Sequence, residues 1–206
     1  MNRFTPLPRS FYEPSAKVVA PELLGHWLVR NTPSGLCGGP IVETEAYLLG
    51  DPACHAARGM TRRNRVMFGE PGRAYVYFIY GNHYCVNAVC LPAGQAEAVL
   101  IRAVEAKVGQ EIMRQRRATV QLHALTNGPG KLCQALDIGR DLDGNDLCNA
   151  QSPLFIARNP SVRTFRRQFG PMITTTRIGI TQAAALPLRF YLDGSPFVSR
   201  RNPTLN

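Results

Sequence analysis

Two carboxylates stand two residues apart in an otherwise apolar and β-branched segment, IVETEAY at residues 41–47. Alternation along a strand would place Glu43, Glu45 and Tyr47 on one face. Two environments remain open for these carboxylates. Either they face solvent at the edge of a sheet, or they line a cleft in which burial adapts one of them for general-base chemistry.

Two aromatic and β-branched runs, at residues 73–80 and 83–90, predict a β-hairpin whose turn is the pair Gly81 and Asn82. Tyr80 would then project from the hairpin tip. Proteins that deform duplexes insert side chains of this kind between bases, and enzymes that act on a flipped base need a group to fill the gap in the stack. The alternative is a tyrosine packed on a neighbouring loop with its hydroxyl hydrated.

Residues 48–72 are rich in Gly, Pro, Arg and Asn and predict a long loop with a function. Its basic run contains Arg63 and Arg65, which could neutralise phosphates or could form a solvated charge cluster. His55 in the same loop could hydrogen-bond to a base, or it could be a surface or capping residue.

The segment GPGK at residues 128–131 predicts the start of a helix that continues to residue 136. Free backbone N–H groups at that start, with Lys131 beside them, suit a phosphate. The pattern is short and is not a P-loop.

The charge balance favours a polyanionic partner. Among 206 residues there are 24 lysines and arginines against 14 acidic residues, which gives a formal net charge of +10. Nucleic acid is the first candidate and a membrane surface the second, although surface charge also occurs without any partner.

Several classes of protein are excluded by composition. No apolar run approaches the roughly 20 residues of a membrane span, and the N-terminal residues lack the apolar core of a secretory signal. We therefore expect a soluble, intracellular protein, cytoplasmic and nucleoid-associated in a bacterium or nuclear in a eukaryote. The six cysteines show no C-x-x-C spacing, so we interpret them as buried free thiols rather than metal ligands, and we expect neither a metal nor a cofactor.

The pattern of elements predicts one mixed α/β (α+β) domain spanning residues 1–206. We expect a curved, mainly antiparallel sheet with a protruding β-hairpin and flanking short helices, and flexible termini at about residues 1–10 and 200–206. Helices are predicted at 13–25, 105–119 and 128–136, and further strands at 26–30, 40–47, 98–104, 153–158, 176–181 and 187–192.

Six segments resemble, in the same order, those of the alkyladenine DNA glycosylase family, also called the mammalian-type 3-methyladenine DNA glycosylase family. The likeness extends over residues 11–199. The segments are IVETEAY at 41–47, RNR at 63–65, YVYFIYG at 75–81, LIRA at 100–103, GPGKLCQAL at 128–136 and PLRFY at 187–191.

This resemblance implies that Glu45 is the general base and that Arg102 positions Glu45 and a water molecule near the scissile bond. Cleavage of a purine from deoxyribose passes through a sugar with oxocarbenium character, which a carboxylate and an activated water would serve. No lysine occurs in the 41–47 segment to form a Schiff base, so we expect hydrolysis without strand cleavage.

The resemblance also implies a pocket for a flipped purine. Tyr80 would be inserted into the duplex and Lys131 would contact a phosphate. The sequence departs from the family after Gly81. Family members often have a bulky apolar residue there that supports the inserted tyrosine, whereas this sequence has Asn82 and His83. The implied pocket residues are Tyr47, His55, Tyr77, Asn87 and Ile180.

Together these features predict a base-excision-repair DNA glycosylase that acts, as a monomer, on double-stranded DNA containing damaged purines. The expected substrates are alkylated or deaminated purines of the 3-methyladenine, 7-methylguanine, hypoxanthine and ethenoadenine class. Two alternatives remain: a non-catalytic nucleic-acid-binding protein, which would not need a buried Glu45, and an RNA-modifying or formyl-transfer enzyme, for which the sequence carries no cofactor motif.

Overall fold

The sheet is assembled on one long strand, β2 (Gly35–Tyr47), in this computed structural model, which describes residues 4–200. The first half of β2 pairs with β1 (Trp27–Thr32). The second half pairs with β5 (Glu97–Val104) on one side and with β8 (Arg189–Leu192) on the other. The segment with the paired carboxylates therefore lies inside the sheet, and the sheet-edge position is excluded.

The remaining strands extend the sheet on both sides. β6 (Leu154–Ala157) pairs with β1, β7 (Met172–Thr175) pairs with β8, and the hairpin of β3 (Ala74–Ile79) and β4 (His83–Cys90) continues the sheet beyond β5. All these pairings are antiparallel, and the eight strands curl into a half-barrel. The predicted α+β fold with a curved antiparallel sheet is confirmed.

Four short helices pack around the sheet, and their apolar faces complete the core. The first helix begins where Ser15 accepts a hydrogen bond from the backbone N–H of Lys17, as helix-capping serines do. Within residues 4–200, no helix has both the length and the apolar character that a membrane span requires. The helices are α1 (Ala16–Leu23), α2 (Gln110–Arg117), α3 (Pro129–Leu136) and α4 (Val162–Gln168).

The hairpin forms as predicted, but its turn lies one residue earlier. Ile79 pairs with His83, and the N–H of Asn82 donates to the carbonyl of Ile79 at 3.4 Å. The two central residues are therefore Tyr80 and Gly81, with φ angles of +55° and +72°. Positive φ at both positions matches the right-handed twist of the flanking strands. It also places a tyrosine in the left-handed region, which non-glycine residues seldom adopt.

Most predicted elements form with shifted ends: β2, for example, begins at Gly35 and not at residue 40. Two predictions differ more than that. The helix predicted at 105–119 is shorter, because the N–H groups of Lys107 and Val108 donate to the carbonyl of Gly38 in β2, and α2 begins only after Gly109. The strand predicted at 176–181 is wrong: residues 172–175 form β7, and 176–181 is a loop. Helix α4, which is short and carries several arginines, was not predicted.

The part of the N-terminal segment that is described lies on the body of the domain. Leu7 is buried and its N–H donates to the carbonyl of Ile156 at 2.8 Å, while the ring of Phe4 packs on Trp27. Residues 1–3 and 201–206, the outer parts of the termini expected to be flexible, lie outside the described residues.

All six cysteines are free, and five of them are buried. Across residues 4–200, no group of three or more His, Cys, Asp or Glu side chains is placed to hold a metal ion. The predicted burial holds for five of the six cysteines, whereas Cys148 is only partly buried.

The close approach between β2 and residue 105 depends on a glycine. A Cβ atom at Gly39 would lie 1.7 Å from the backbone oxygen of Glu105. We predict that Gly39→Ala lowers the free energy of unfolding by about 3 kcal/mol or more, because backbone atoms must separate. Gly50→Ala is the control, since no atom lies within 4 Å of its Cβ and only the strain of φ +77° is added, about 1–2 kcal/mol. Denaturant unfolding measures both, and equal losses would contradict the steric explanation.

Candidate active site

A cavity of about 220 Å³ opens where β2, β5 and the hairpin meet the 176–180 loop and the start of α3. Its wall combines aromatic rings with a few polar groups. The lining residues are Tyr47, Ala53, His55, Met67, Tyr75, Tyr77, Ile79, Tyr80, Cys85, Asn87, Ala98, Leu100, Arg102, Pro129, Ile178, Gly179 and Ile180.

The carboxylate of Glu45 lies directly behind this wall, with no exposed surface. Its Oε1 accepts the backbone N–H of Ile178 at 2.8 Å, and its Oε2 accepts the hydroxyl of Tyr47 at 3.0 Å. An Nη1 atom of Arg102 lies 3.2 Å from the same Oε2. All three partners line the cavity, so the carboxylate is oriented by groups that a bound ligand would also touch.

Arg102 joins the two carboxylates of the IVETEAY segment. Its Nε donates to Oε1 of Glu43 at 2.9 Å, while its Nη1 reaches Glu45. The predicted shared face of Glu43, Glu45 and Tyr47 is therefore confirmed. Burial by itself would lower the pKa of Arg102, but the adjacent carboxylates of Glu45 and Glu43 outweigh burial and raise that pKa above its ordinary value.

Aromatic rings form one side of the cavity. The rings of Tyr75 and Tyr77 stack at a centroid distance of 5.4 Å, and the His55 ring meets Tyr77 edge-on at 4.5 Å. Burial raises the pKa of Tyr77, so its hydroxyl stays protonated. The side-chain amide of Asn87 donates to the carbonyl of Tyr75 at 3.1 Å, which fixes the amide in the wall. Flat rings with one fixed amide suit a planar, polar-edged ligand.

Tyr80 stands at the mouth of the cavity and is 77% exposed. Most of the ring is in solvent, while the hydroxyl lies near the 176–180 loop, since a Cβ atom at Gly179 would be 3.7 Å from it. Its φ of +55° costs on the order of 1–2 kcal/mol for a residue with a Cβ atom. An exposed aromatic residue held in a strained turn is typical of functional sites, where such strain persists because the surrounding structure enforces it.

The three predicted phosphate-binding residues are all exposed, but they are not equivalent. Arg63 reaches the hairpin: its guanidinium lies 5.5 Å from the centre of the Tyr77 ring, and its Nη2 donates to the carbonyl of Phe78 at 3.3 Å. Lys131 donates to the side chain of Asn127 at 2.9 Å, near the start of α3. Arg65 begins a short 3-10 helix in the 48–72 loop.

The residues that depart from the family pattern also have defined places. Asn82 is exposed in the turn. His83 is half-buried against the α3 start, since a Cβ atom at Gly130 would lie 2.9 Å from its Cγ. His83 thus supports the hairpin from the side of α3.

Sequence reasoning missed a buried ion pair that braces the cavity. Both guanidinium Nη atoms of Arg177 bond to the carboxylate of Asp51, and the guanidinium lies 4.7 Å from the centre of the Tyr47 ring. Burial opposes ionisation of Asp51, but the hydrogen bonds and charge of Arg177, together with hydrogen bonds from the backbone at Ala53 and Leu48, outweigh it and lower the pKa of Asp51. The sequence did contain a signal for this ion pair, because Arg177 interrupts the otherwise apolar pattern of residues 176–181. The segment is a loop and not a strand because the N–H of Ile178 donates to the carboxylate of Glu45 and is not available to a neighbouring strand.

Comparison with known proteins decides the family. The family model described as methylpurine-DNA glycosylase (MPG) matches residues 10–196. The chain belongs to the methylpurine-DNA glycosylase family. It is thus a DNA glycosylase, a hydrolase of DNA repair, and it binds DNA. This confirms the family inferred from the six sequence segments.

Relatives in this family align with the chain over nearly its whole length. The chain is 51% identical over 195 residues to a protein of Methanoculleus marisnigri, which covers 95% of this chain and 99% of the relative. It is 47% identical to a protein of Carboxydothermus hydrogenoformans, with the same coverage, and 46% identical to one of Koribacter versatilis, covering 96% and 94%. All three are provisionally named as 3-methyladenine DNA glycosylases.

We predict that His55 is neutral at pH 7. His55 keeps exposed surface, but its ring lies against Tyr75 and Tyr77. The partial loss of water around the ring lowers the pKa of His55 below its ordinary value, and the charge of Arg63 lowers it further. The folded state therefore resists protonation, and the contribution of His55 to stability is lost as the pH falls below about 6.5.

An NMR titration of the His55 ring measures this directly. The midpoint should lie below about 6.5, the value of an unperturbed histidine. In Arg63→Gln it should rise while staying below that value, because the partial loss of water around the ring remains. A midpoint above about 6.5 in the unmodified protein would show that the environment of His55 is described incorrectly.

Proposed function

We propose that this chain removes alkylated or deaminated purines from double-stranded DNA, acting as a monomer on a nucleotide rotated out of the helix. The observation that carries the proposal is the buried carboxylate of Glu45, fixed by Arg102, Tyr47 and the Ile178 N–H directly behind an aromatic cavity. A protein that only bound nucleic acid would have no need of such a carboxylate.

The cavity supports the proposed recognition of a single base. A purine between the rings of Tyr77 and Tyr47 would gain stacking energy of about 1–3 kcal/mol, and N-alkylated purines, which carry positive charge, would gain more from electron-rich faces. Asn87 and His55 offer polar groups for the base edge, and Ile180 adds an apolar side chain to the lining. Damaged bases stack and pair less well, so their rotation into the cavity is less costly and selection begins before chemistry.

In the proposed reaction, Glu45 accepts a proton from a water molecule whose oxygen attacks the anomeric carbon of the sugar. The bond from that carbon to the base nitrogen breaks, and the electron pair leaves with the base. The negative charge of Glu45 also stabilises the oxocarbenium character of the sugar. Arg102 would hold Glu45 and the water in place.

The nature of the base decides what further help is needed. A cationic alkylated base leaves without a proton, whereas a neutral base such as hypoxanthine needs a hydrogen bond or a proton, for which His55 and Tyr47 are the nearest candidates. None of the described cavity-lining residues is a lysine, so a Schiff base and strand cleavage have no nucleophile there.

We further propose that Tyr80 enters the duplex and fills the space left by the rotated nucleotide, in keeping with its exposure and strained turn. Arg63, Arg65 and Lys131 would neutralise phosphates on either side of the hairpin, and the net charge of +10 would favour the approach of DNA.

Glu45→Gln tests the reaction. We expect base release from duplexes containing hypoxanthine, ethenoadenine or 3-methyladenine to fall by at least about 10²–10⁴-fold under single turnover, because the amide cannot accept the proton of water. Affinity for DNA containing an abasic site should be retained. Equal base release by the variant and the unmodified protein would favour a non-catalytic role for Glu45.

Tyr80→Ser tests the insertion of the hairpin. We expect affinity for lesion-containing duplex, and the fluorescence change of a flipped ethenoadenine, to fall by about 10-fold or more, since the stacking of one ring is lost. Tyr80→Phe should behave like the unmodified protein. Val120→Ser is the matched control, because Val120 is 85% exposed and does not line the cavity. An equal effect in Val120→Ser would contradict the insertion of Tyr80.

A further inference from the structure

The proposed reaction leaves one fully buried carboxylate, that of Glu43, without a role. It accepts four hydrogen bonds. The Nε atoms of Arg102 and Arg189 lie 2.9 Å and 2.7 Å from its Oε1, the Ser199 hydroxyl lies 2.9 Å from the same oxygen, and the Ser199 N–H lies 2.7 Å from Oε2. Such complete satisfaction makes its position rigid.

Glu43 belongs to a buried row of alternating charges. The row runs from Glu45 through Arg102 and Glu43 to Arg189, and no member is more than 6% exposed. Because Arg102 is shared between two carboxylates, its position relative to Glu45 depends on how firmly Glu43 holds its Nε. Arg189 binds the same Oε1 of Glu43 as Arg102 does, and it balances the charge that Arg102 alone would have to neutralise.

The C-terminal segment completes this row. Ser199 touches both Glu43 and Arg102, since its hydroxyl oxygen also lies 3.2 Å from Nη2 of Arg102. The segment is anchored on either side: Phe197 and Val198 are buried, and an Nη2 of Arg189 donates to the carbonyl of Arg200. Residues more than 150 positions apart in the sequence are thereby joined behind the cavity, as with the 156 positions between Glu43 and Ser199.

We propose that Glu43, Arg189 and Ser199 are positioning residues, through which the C-terminal segment sets the orientation of Arg102 against Glu45. The inference rests on the proposed function, because it assigns these residues a task in that reaction. It differs from a purely structural role in one respect: loss of the Ser199 hydroxyl should impair the chemical step while leaving DNA binding intact.

A second buried carboxylate supplies a matched control. Glu97 accepts the Ser15 hydroxyl at 2.7 Å and the N–H of Ala16 at 2.8 Å, the same kind of pairing that Ser199 makes with Glu43. Neither Ser15 nor Glu97 lines the cavity or contacts Arg102. Glu97 also accepts the N–H of Leu49 at 3.0 Å, so Glu97→Gln disturbs one contact more than Ser15→Ala does. Ser15→Ala measures what the loss of a buried serine–carboxylate pairing does away from Arg102, and Glu97→Gln is the control for loss of a buried carboxylate.

The experiment compares Ser199→Ala, Ser199→Thr and Glu43→Gln with those two controls in the full chain. For each, we would measure the saturating single-turnover rate of base release, the protein concentration giving half that rate, the affinity for abasic-site DNA and the melting temperature. We expect Ser199→Ala to lower the saturating rate by about 10-fold and Glu43→Gln by more, with both binding measures unchanged. Ser199→Thr, which keeps the hydroxyl, should restore the rate.

Two results would overturn the inference. One is a saturating rate in Ser199→Ala equal to that in Ser15→Ala; the other is a loss that Ser199→Thr does not restore. Should Glu43→Gln fail to fold, the serine variants still decide. The proposed function would fail by a different result: no base release by the unmodified protein, or full activity of Glu45→Gln. If the unmodified protein is active, Glu45→Gln is inactive and Ser199→Ala is unaffected, only the positioning role is refuted.

Discussion

The structure depends on one guanidinium group, that of Arg102, which two buried carboxylates share. Two carboxylates two residues apart on an interior strand could not both be buried without compensation, because each isolated buried charge carries a penalty of several kcal/mol. Arg102, projecting from the neighbouring strand β5, lies between Glu43 and Glu45 and bonds to both. Removing one partner from such a buried set leaves an uncompensated charge and typically destabilises a protein by about 3–5 kcal/mol. The pairing of β2 with β5 therefore also assembles the candidate active site.

The cavity follows from that arrangement. The N–H of Ile178 donates to the buried carboxylate of Glu45, and the adjoining Arg177 pairs with Asp51 in the loop after β2. The 176–180 loop is therefore held by side-chain interactions instead of a strand ladder. Its irregular backbone closes one side of the cavity, while the aromatic residues of the hairpin close the other. The proposed catalytic groups and the cavity walls are stabilised by the same contacts.

The hairpin tip, unlike the buried charges, does not stabilise the folded protein. Its turn places Tyr80 at positive φ with most of its side chain in solvent, which contributes nothing to the stability of the isolated protein. The rigid sheet behind it, in which Tyr75 and Tyr77 are buried, enforces this conformation. The half-buried His83 against Gly130 adds support from α3, where the bulky apolar residues expected after Gly81 are absent. An exposed ring on a rigid base is suited to entering another molecule.

The sequence by itself determined the α+β class, the hairpin, most strands and the family, because alternation, turn residues and ordered segments are local properties that a single chain displays. It also placed Glu43, Glu45 and Tyr47 on one face, since that follows from strand geometry. It could not decide between a sheet edge and a buried cleft for these carboxylates, nor find the buried contacts of Arg177, Asp51 and Ser199. Those depend on which distant residues become neighbours, and a buried charge acquires its partner only when the chain folds.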